Sequence, residues 1–358
     1  MRVFLFLCHA WEVESCMSGY VGRLAPSPTG ALHLGNVRTF MIAWLRARSL
    51  GGRLIFRMED LDHPKDKPGA AAAAVNDLKW LGFDWDEEYV QSERKAIYAE
   101  ATRFLHDHDL IYPCVCSRKD VEAAQSAPHA GDQLYYPGTC RDLFPTWSSA
   151  FSHLNRTIDE STNRAVLRSP CWRFRVPAGT VVEFEDVFAG HFAQNVSTTL
   201  GDFPLARDEG GAGYTLAATL DDLLMGVTEV VRGDDLLPAT PAQILLARSL
   251  RAFIAKYSSL HTQHSTLLTS HSSLLTYLHV PLVTGSDGRR LAKRHGDTRI
   301  SSYREAGVEP EAVIGFLSAS CGWTVPGEKV TLGELLPRFT LETIPHHPFV
   351  IPSGGLIV

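Results

Sequence analysis

His33, Leu34, Gly35 and Asn36 form the segment of this chain best suited to chemistry, and they close the run Gly22-Arg23-Leu24-Ala25-Pro26-Ser27-Pro28-Thr29-Gly30-Ala31-Leu32. The pattern predicts a short strand over 20–24 and a turn built by two prolines and a glycine. An amphipathic helix then runs from near His33 through Arg48. A strand that feeds a glycine-containing turn into a helix N-terminus leaves backbone N–H groups free to face an anion. A histidine at that end adds a donor for phosphate. Alone, the tetrapeptide reads as a βα turn with a surface histidine; the rest of the chain shifts that reading.

A second group of chemically capable residues is Cys114-x-Cys116, then nineteen residues, then Tyr136-x-x-x-Cys140. Three thiolates at compact spacing suit a tetrahedral zinc site, with buried free thiols as the alternative, and the cysteines alone leave the fourth position open. Seven cysteines, an odd number, do not form a disulfide framework. His261, His264, His271 and His279 lack a metal-ligand spacing. No G-x-x-x-x-G-K-[ST] occurs, so a Walker nucleotide site is not expected.

The net charge of −6 excludes a broadly basic nucleic-acid coat. Locally the balance reverses: Arg248 to Arg299 holds eight Lys/Arg against two Asp, either a solvated face or an anion- or RNA-facing surface. No apolar run reaches membrane-spanning length. Residues 1–19 read as an extension, with Met17 the expected initiator and no convincing signal-peptide cleavage site. A cytoplasmic monomer with no membrane partner is expected.

The elements that must position these residues alternate. Residues 54–58 form a strand ending in the acidic cluster Glu59-Asp60-Leu61-Asp62; 70–81 and 94–108 are helices. Residues 172–176 and 180–188 have strand composition, and a sheet pattern resumes at 202–206, 214–222 and 227–232. A helix with a basic face covers 241–257, and short helices cover 311–320 and 332–339. Residues 264–270 are nearly repeated by 271–277, either a helical extension or an inserted low-complexity segment. This is an α/β pattern with a parallel sheet. Five regions are expected: the extension 1–19, catalytic halves at 20–113 and 201–299, a cysteine-bearing insertion at 114–200, and a helical end at 300–358.

Four ordered motifs together resemble one family. Gly22 to Arg38 resembles the first signature of class I aminoacyl-tRNA synthetases in their glutamyl form. Phe56 to Asp62, with Trp80 to Asp86, resembles the next block. Gly213 to Ala217, with Val231 to Leu237, resembles the third. Arg289-Arg290-Leu291-Ala292-Lys293-Arg294 lies where the family carries its second signature, usually Lys-Leu-Ser-Lys, so the second lysine is kept and the serine is replaced by Ala292.

The resemblance implies a Rossmann-like catalytic domain with an inserted zinc-binding subdomain and a short helical C-terminal part. It implies L-glutamate as substrate, held by residues 23–27 (Arg23, Leu24, Ala25, Pro26, Ser27) with Glu59, Tyr214 and Arg232. Two guanidiniums suit its carboxylates, Glu59 its ammonium, and Ser27 and Tyr214 supply hydroxyls. His33, Gly35, Asn36 and Lys293 would meet ATP, with magnesium sharing the phosphate charge; His33, Asn36 and Lys293 are the implied catalytic residues. Tyr136 would be the fourth zinc ligand beside Cys114, Cys116 and Cys140. About sixty residues follow Lys293, too few for the large anticodon-binding module of a full glutamyl- or glutaminyl-tRNA synthetase. The short members of the family, the glutamyl-queuosine tRNA(Asp) synthetases, esterify glutamate to queuosine in the anticodon of tRNA(Asp), and that activity is the expectation. A truncated glutamyl-tRNA synthetase charging a 3′ end and a non-catalytic paralogue that binds glutamate or RNA are the alternatives.

Overall fold

The computed structural model describes residues 19–61, 67–123, 134–155, 169–207, 211–261, 275–285, 287–289, 291 and 298–352. The near-repeat over 264–277 therefore falls mostly outside the described residues, as do Lys293 and the extension up to residue 18.

Short strands make two sheet segments built around parallel pairs. In the first, β1 (Val21–Leu24) pairs with β2 (Arg53–Met58) and β2 with β3 (Glu87–Val90), all parallel. The crossover from β1 to β2 is α1 (Leu34–Ser49), and that from β2 to β3 is α2 (Ala70–Trp80). After α3 (Lys95–Asp107), β4 (Ile111–Cys114) and β5 (Cys171–Phe174) pair antiparallel, and β8 (Pro204–Ala206) joins β5. The helices Arg118–Ala123 and Trp147–Asn155 lie between β4 and β5.

The second segment orders its strands β7 (Gly190–Asn195), β6 (Val181–Asp186), β10 (Thr276–Val280), β9 (Glu229–Gly233). Here β6–β10 and β10–β9 are parallel, and β6–β7 is an antiparallel hairpin. The Thr228 N–H donates to Val21 O at 2.9 Å, bringing β9 alongside β1 so that the two parallel segments lie edge to edge. The α/β expectation holds, and β1 and β9 carry Arg23 and Arg232 side by side.

One expected strand is a helix. Residues 214–222 fall within α4 (Tyr214–Leu224), where Leu216, Ala217 and Leu220 turn to the core at helical spacing. Alanine and leucine there favour a helix. The helix also buries two carboxylates, Asp221 and Asp222.

The later chain closes over α1. After α5 (Thr240–His261) and β10, the pair β11 (Val283–Thr284) and β12 (Phe349–Val350) forms, and α6 (Ile300–Glu305) and α7 (Pro310–Ala319) pack with α1 in the main core. Arg38, 1% exposed, clamps this contact by donating to Ser320 Oγ at 2.8 Å and Pro281 O at 2.9 Å.

Candidate active site

α1 owes its start to the residues that looked chemical. His33 is the N-cap, in extended conformation, and its Nδ1 accepts from the Gly35 and Asn36 N–H groups at 3.1 and 3.4 Å. Asn36 Oδ1 accepts from the His33 N–H at 3.2 Å, completing a reciprocal capping box. An N–H donor to Nδ1 requires a lone pair there, so the ring proton resides on Nε2. A Cβ at Gly35 would sit 3.1 Å from the His33 ring, so any larger residue would press on the capping imidazole. His33 and Asn36 thus build the helix end as well as face the cleft.

That cleft, about 580 Å³, is lined by Arg23, Ala25, Pro26, Ser27, His33, Gly35, Asn36, Glu59, Tyr214 and Arg232, so most of the sequence-selected residues meet in one place. Leu24 does not belong with them: its side chain is 0% exposed and packs into the core, because alternate residues of a strand point to opposite faces. Tyr214 sits at the rim, 44% exposed, which excludes a core role. Lys293 lies outside the described residues, but the chain on both sides of it is fixed. Leu291 is in the core with Leu34, and Leu34 N donates to Thr298 O at 3.1 Å and Ile300 N to Leu32 O at 2.9 Å.

Beneath the cleft runs a buried chain of charge. Arg23 Nη1 donates to Val231 O at 2.7 Å, and its Nε lies 3.5 Å from Asp222 Oδ1. The same Oδ1 accepts from Arg57 Nη1 at 2.7 Å, while Arg57 Nη2 donates to Glu59 at 3.0 Å. Burial pushes the Glu59 carboxyl up from its ordinary range, and Arg57 pulls against it. Asp221 is held separately by Arg94, Gln91 and Tyr98. Sequence reasoning selected Glu59 but passed over Arg57, Asp221 and Asp222, since only the fold brings residues so far apart in sequence together.

Arg232 differs from its neighbours. Its guanidinium donates to His279 Nε2 at 3.0 Å, Thr240 Oγ1 at 2.8 Å and Tyr214 Oη at 3.4 Å, all neutral acceptors. Among the described residues no carboxylate lies within 4.0 Å of it, so a 6% exposed cation lines the cleft without a direct counter-ion. An arginine so placed binds a carboxylate strongly.

The family model for the catalytic domain of class I tRNA synthetases (E and Q) matches residues 20–273, the span that carries most of the lining of this cleft. The chain belongs to that family. A glutamyl-Q tRNA(Asp) synthetase from Rhodopirellula baltica is 42% identical, over 95% of this chain and 98% of its own length. Another, from Symbiobacterium thermophilum, is 41% identical over 93% of this chain and 96% of its own. Among solved structures, the glutamate-tRNA synthetase from Elizabethkingia anophelis superposes with a TM-score of 0.71 at 25% identity, covering 95% of this chain and 69% of that one.

Outside the cleft, this class I synthetase gathers Cys114, Cys116 and Cys140, whose sulfurs lie within 4.8 Å of one another. Tyr136 joins them: its hydroxyl oxygen is 3.2 Å from Cys114 Sγ and 3.7 Å from Cys116 Sγ, and the Cys116 and Cys140 sulfurs are 3.5 Å apart. Four donors around a tetrahedral zinc ion with bonds of about 2.0–2.3 Å stand roughly 3.5–3.8 Å apart, so the set fits. The Cys140 N–H donates to Tyr136 Oη at 2.8 Å and aligns that oxygen as a donor atom. Hydrogen bonds with the thiols of Cys140 and Cys171 pull the Cys114 thiol far below its ordinary range despite its burial, while the contact with Cys114 and burial push the Cys140 thiol up. Arg173 lies beneath, its Nε 3.2 Å from Cys114 Sγ and its guanidinium 3.8 Å from the Tyr136 ring centre. Gly201, at φ +63°, lets its backbone abut Tyr136, where a Cβ would stand 2.0 Å from the carbonyl oxygen. No helix among the described residues is long and apolar enough to cross a membrane.

Proposed function

We propose that this synthetase activates L-glutamate with ATP and passes the glutamyl group to queuosine in the anticodon of tRNA(Asp). The observation that carries the first half is Arg232, a buried cation without a direct counter-ion among the described residues, in the same cleft as the carboxylate of Glu59. Arg23 and Arg232 hold the two carboxylates of the substrate, Glu59 takes its ammonium, and Ser27 and Tyr214 offer hydroxyls. A carboxylate oxygen attacks the α-phosphorus of ATP; the new O–P bond forms as the bond to the β-phosphate oxygen breaks, leaving glutamyl-adenylate and pyrophosphate. Such transfers depend on alignment and on neutralising charge that develops on oxygen. His33 Nε2–H and the α1 N-terminus meet the phosphates on one side and Lys293 on the other, a placement supported by the bonding of residues 298–300 to the start of α1. Magnesium carried with ATP shares the phosphate charge.

A hydroxyl of queuosine then attacks the adenylate carbonyl, forming an ester and releasing AMP. The second half rests on the relatives: the R. baltica protein, matched over 98% of its length, bears the glutamyl-Q tRNA(Asp) name. Zinc on Cys114, Cys116, Tyr136 and Cys140, when bound, cross-links the segment between β4 and β5 and has no chemical step. Glutamate-dependent exchange of pyrophosphate into ATP tests the activation step. Exchange with glutamate and none with aspartate is expected; no exchange by zinc- and magnesium-replete protein overturns the enzymatic reading in favour of a binding paralogue.

A further inference from the structure

His279 is fully buried, yet the reaction as described does not use it. Its Nδ1 lies 2.6 Å from Asp186 Oδ2, with both side chains 0% exposed, and its Nε2 lies 3.0 Å from Arg232 Nε. Three adjacent strands contribute one residue each: Asp186 ends β6, His279 lies on β10 and Arg232 on β9, with His279 and Arg232 in direct register. We infer that Asp186 and His279 are positioning residues that aim the Arg232 guanidinium at the substrate carboxylate without neutralising it.

The hydrogen-bond inventory fixes the direction of the relay. Arginine only donates, so His279 Nε2 carries a lone pair and the ring proton is on Nδ1, donated to Asp186. Asp186 is itself locked, because its Oδ1 accepts the N–H groups of Phe188, Ala189 and His279 at 3.0, 2.8 and 3.2 Å. Burial and the facing Arg232 cation both hold His279 below its ordinary pKa, outweighing Asp186, in keeping with a neutral ring. A carboxylate placed directly on Arg232 would orient it equally well but would cancel the charge the substrate needs. The neutral imidazole keeps the anion one ring-width away. Thr240 completes the clamp: its Oγ1 accepts from Arg232 Nη2 and lies 3.1 Å from both Leu236 O and His279 Nε2, either of which can accept its proton.

This inference rests on the reading that Arg232 meets a carboxylate of glutamate, and two measurements on the full chain separate them. The first is nitrogen-15 NMR of histidine-labelled protein at neutral pH, with the His279 signal assigned by its loss in His279→Gln. A neutral ring protonated on Nδ1 is expected; an Nε2–H tautomer or an imidazolium overturns the relay whatever the substrate. The second is pyrophosphate-exchange kinetics. His279→Leu should raise KM for glutamate tenfold or more while kcat and KM for ATP stay within threefold, and His279→Gln, whose Oε1 can accept from Arg232, should recover most of the loss. Asp186→Asn, a weaker acceptor, should raise KM for glutamate severalfold. Equal KM for glutamate in folded His279→Leu, or a defect confined to ATP, overturns the positioning role. An Nδ1–H ring in a protein that activates no glutamate would instead overturn the reading of the cleft.

Discussion

Replacing Arg57 by methionine should damage stability and glutamate recognition together, and the structure sets the size. Arg57 is 0% exposed and makes two charge-assisted hydrogen bonds, 2.7 Å to Asp222 and 3.0 Å to Glu59. Methionine fills much of the same volume, so the cavity contribution is small. What remains is two carboxylates, 7% and 8% exposed, stripped of their shared cation. Removing one partner of a buried ion pair costs about 3–5 kcal/mol, and Arg23, 3.5 Å from Asp222, compensates part, placing the expected loss near about 3 kcal/mol at pH 7. The pH dependence has a definite sign. Without Arg57, burial drives the Glu59 carboxyl further above its unfolded value, so the folded variant binds more protons than the unfolded chain. Its stability deficit against wild type therefore shrinks as pH falls from 7 towards the ordinary carboxylate range. Urea unfolding of both proteins at pH 7 and pH 5.5 measures this, and glutamate KM at pH 7 should rise because Glu59 loses the guanidinium that orients its carboxylate towards the ammonium. A loss under about 1 kcal/mol, or a deficit that widens on acidification, refutes the reasoning.

Lys293→Ala and Glu59→Ala should each abolish pyrophosphate exchange, and wild-type activity in either would show the site misplaced. Purified protein should hold one zinc per chain, released by chelator far more readily from Tyr136→Phe, which loses an oxygen ligand, than from wild type; equal release would remove Tyr136 from the ligand set.

The first signature was legible because its chemistry is local. The cap of His33, the reciprocal bond from Asn36 and the glycine under the ring all lie within four residues. Arg23, Glu59, Tyr214 and Arg232 were legible through resemblance, and the cleft gathers all four. Leu24 was carried along by its neighbours, though strand alternation buries it. Residues 214–222 were expected in the sheet, whereas packing of Leu216 and Leu220 against the core settles a helix. Partners that depend on strand register stayed hidden. His279 looked like one more histidine of a low-complexity stretch, and nothing local links it to Asp186, 93 residues earlier. Arg57 and Asp222, 165 residues apart, were equally silent.

The central claim is the acceptor of the glutamyl group. Transfer of labelled glutamate to tRNA(Asp) with and without queuosine, alongside tRNA(Glu), tests it most directly. Label should appear only on queuosine-containing tRNA(Asp). Charging of tRNA(Glu) at its 3′ end, or equal labelling of tRNA(Asp) lacking queuosine, would contradict it.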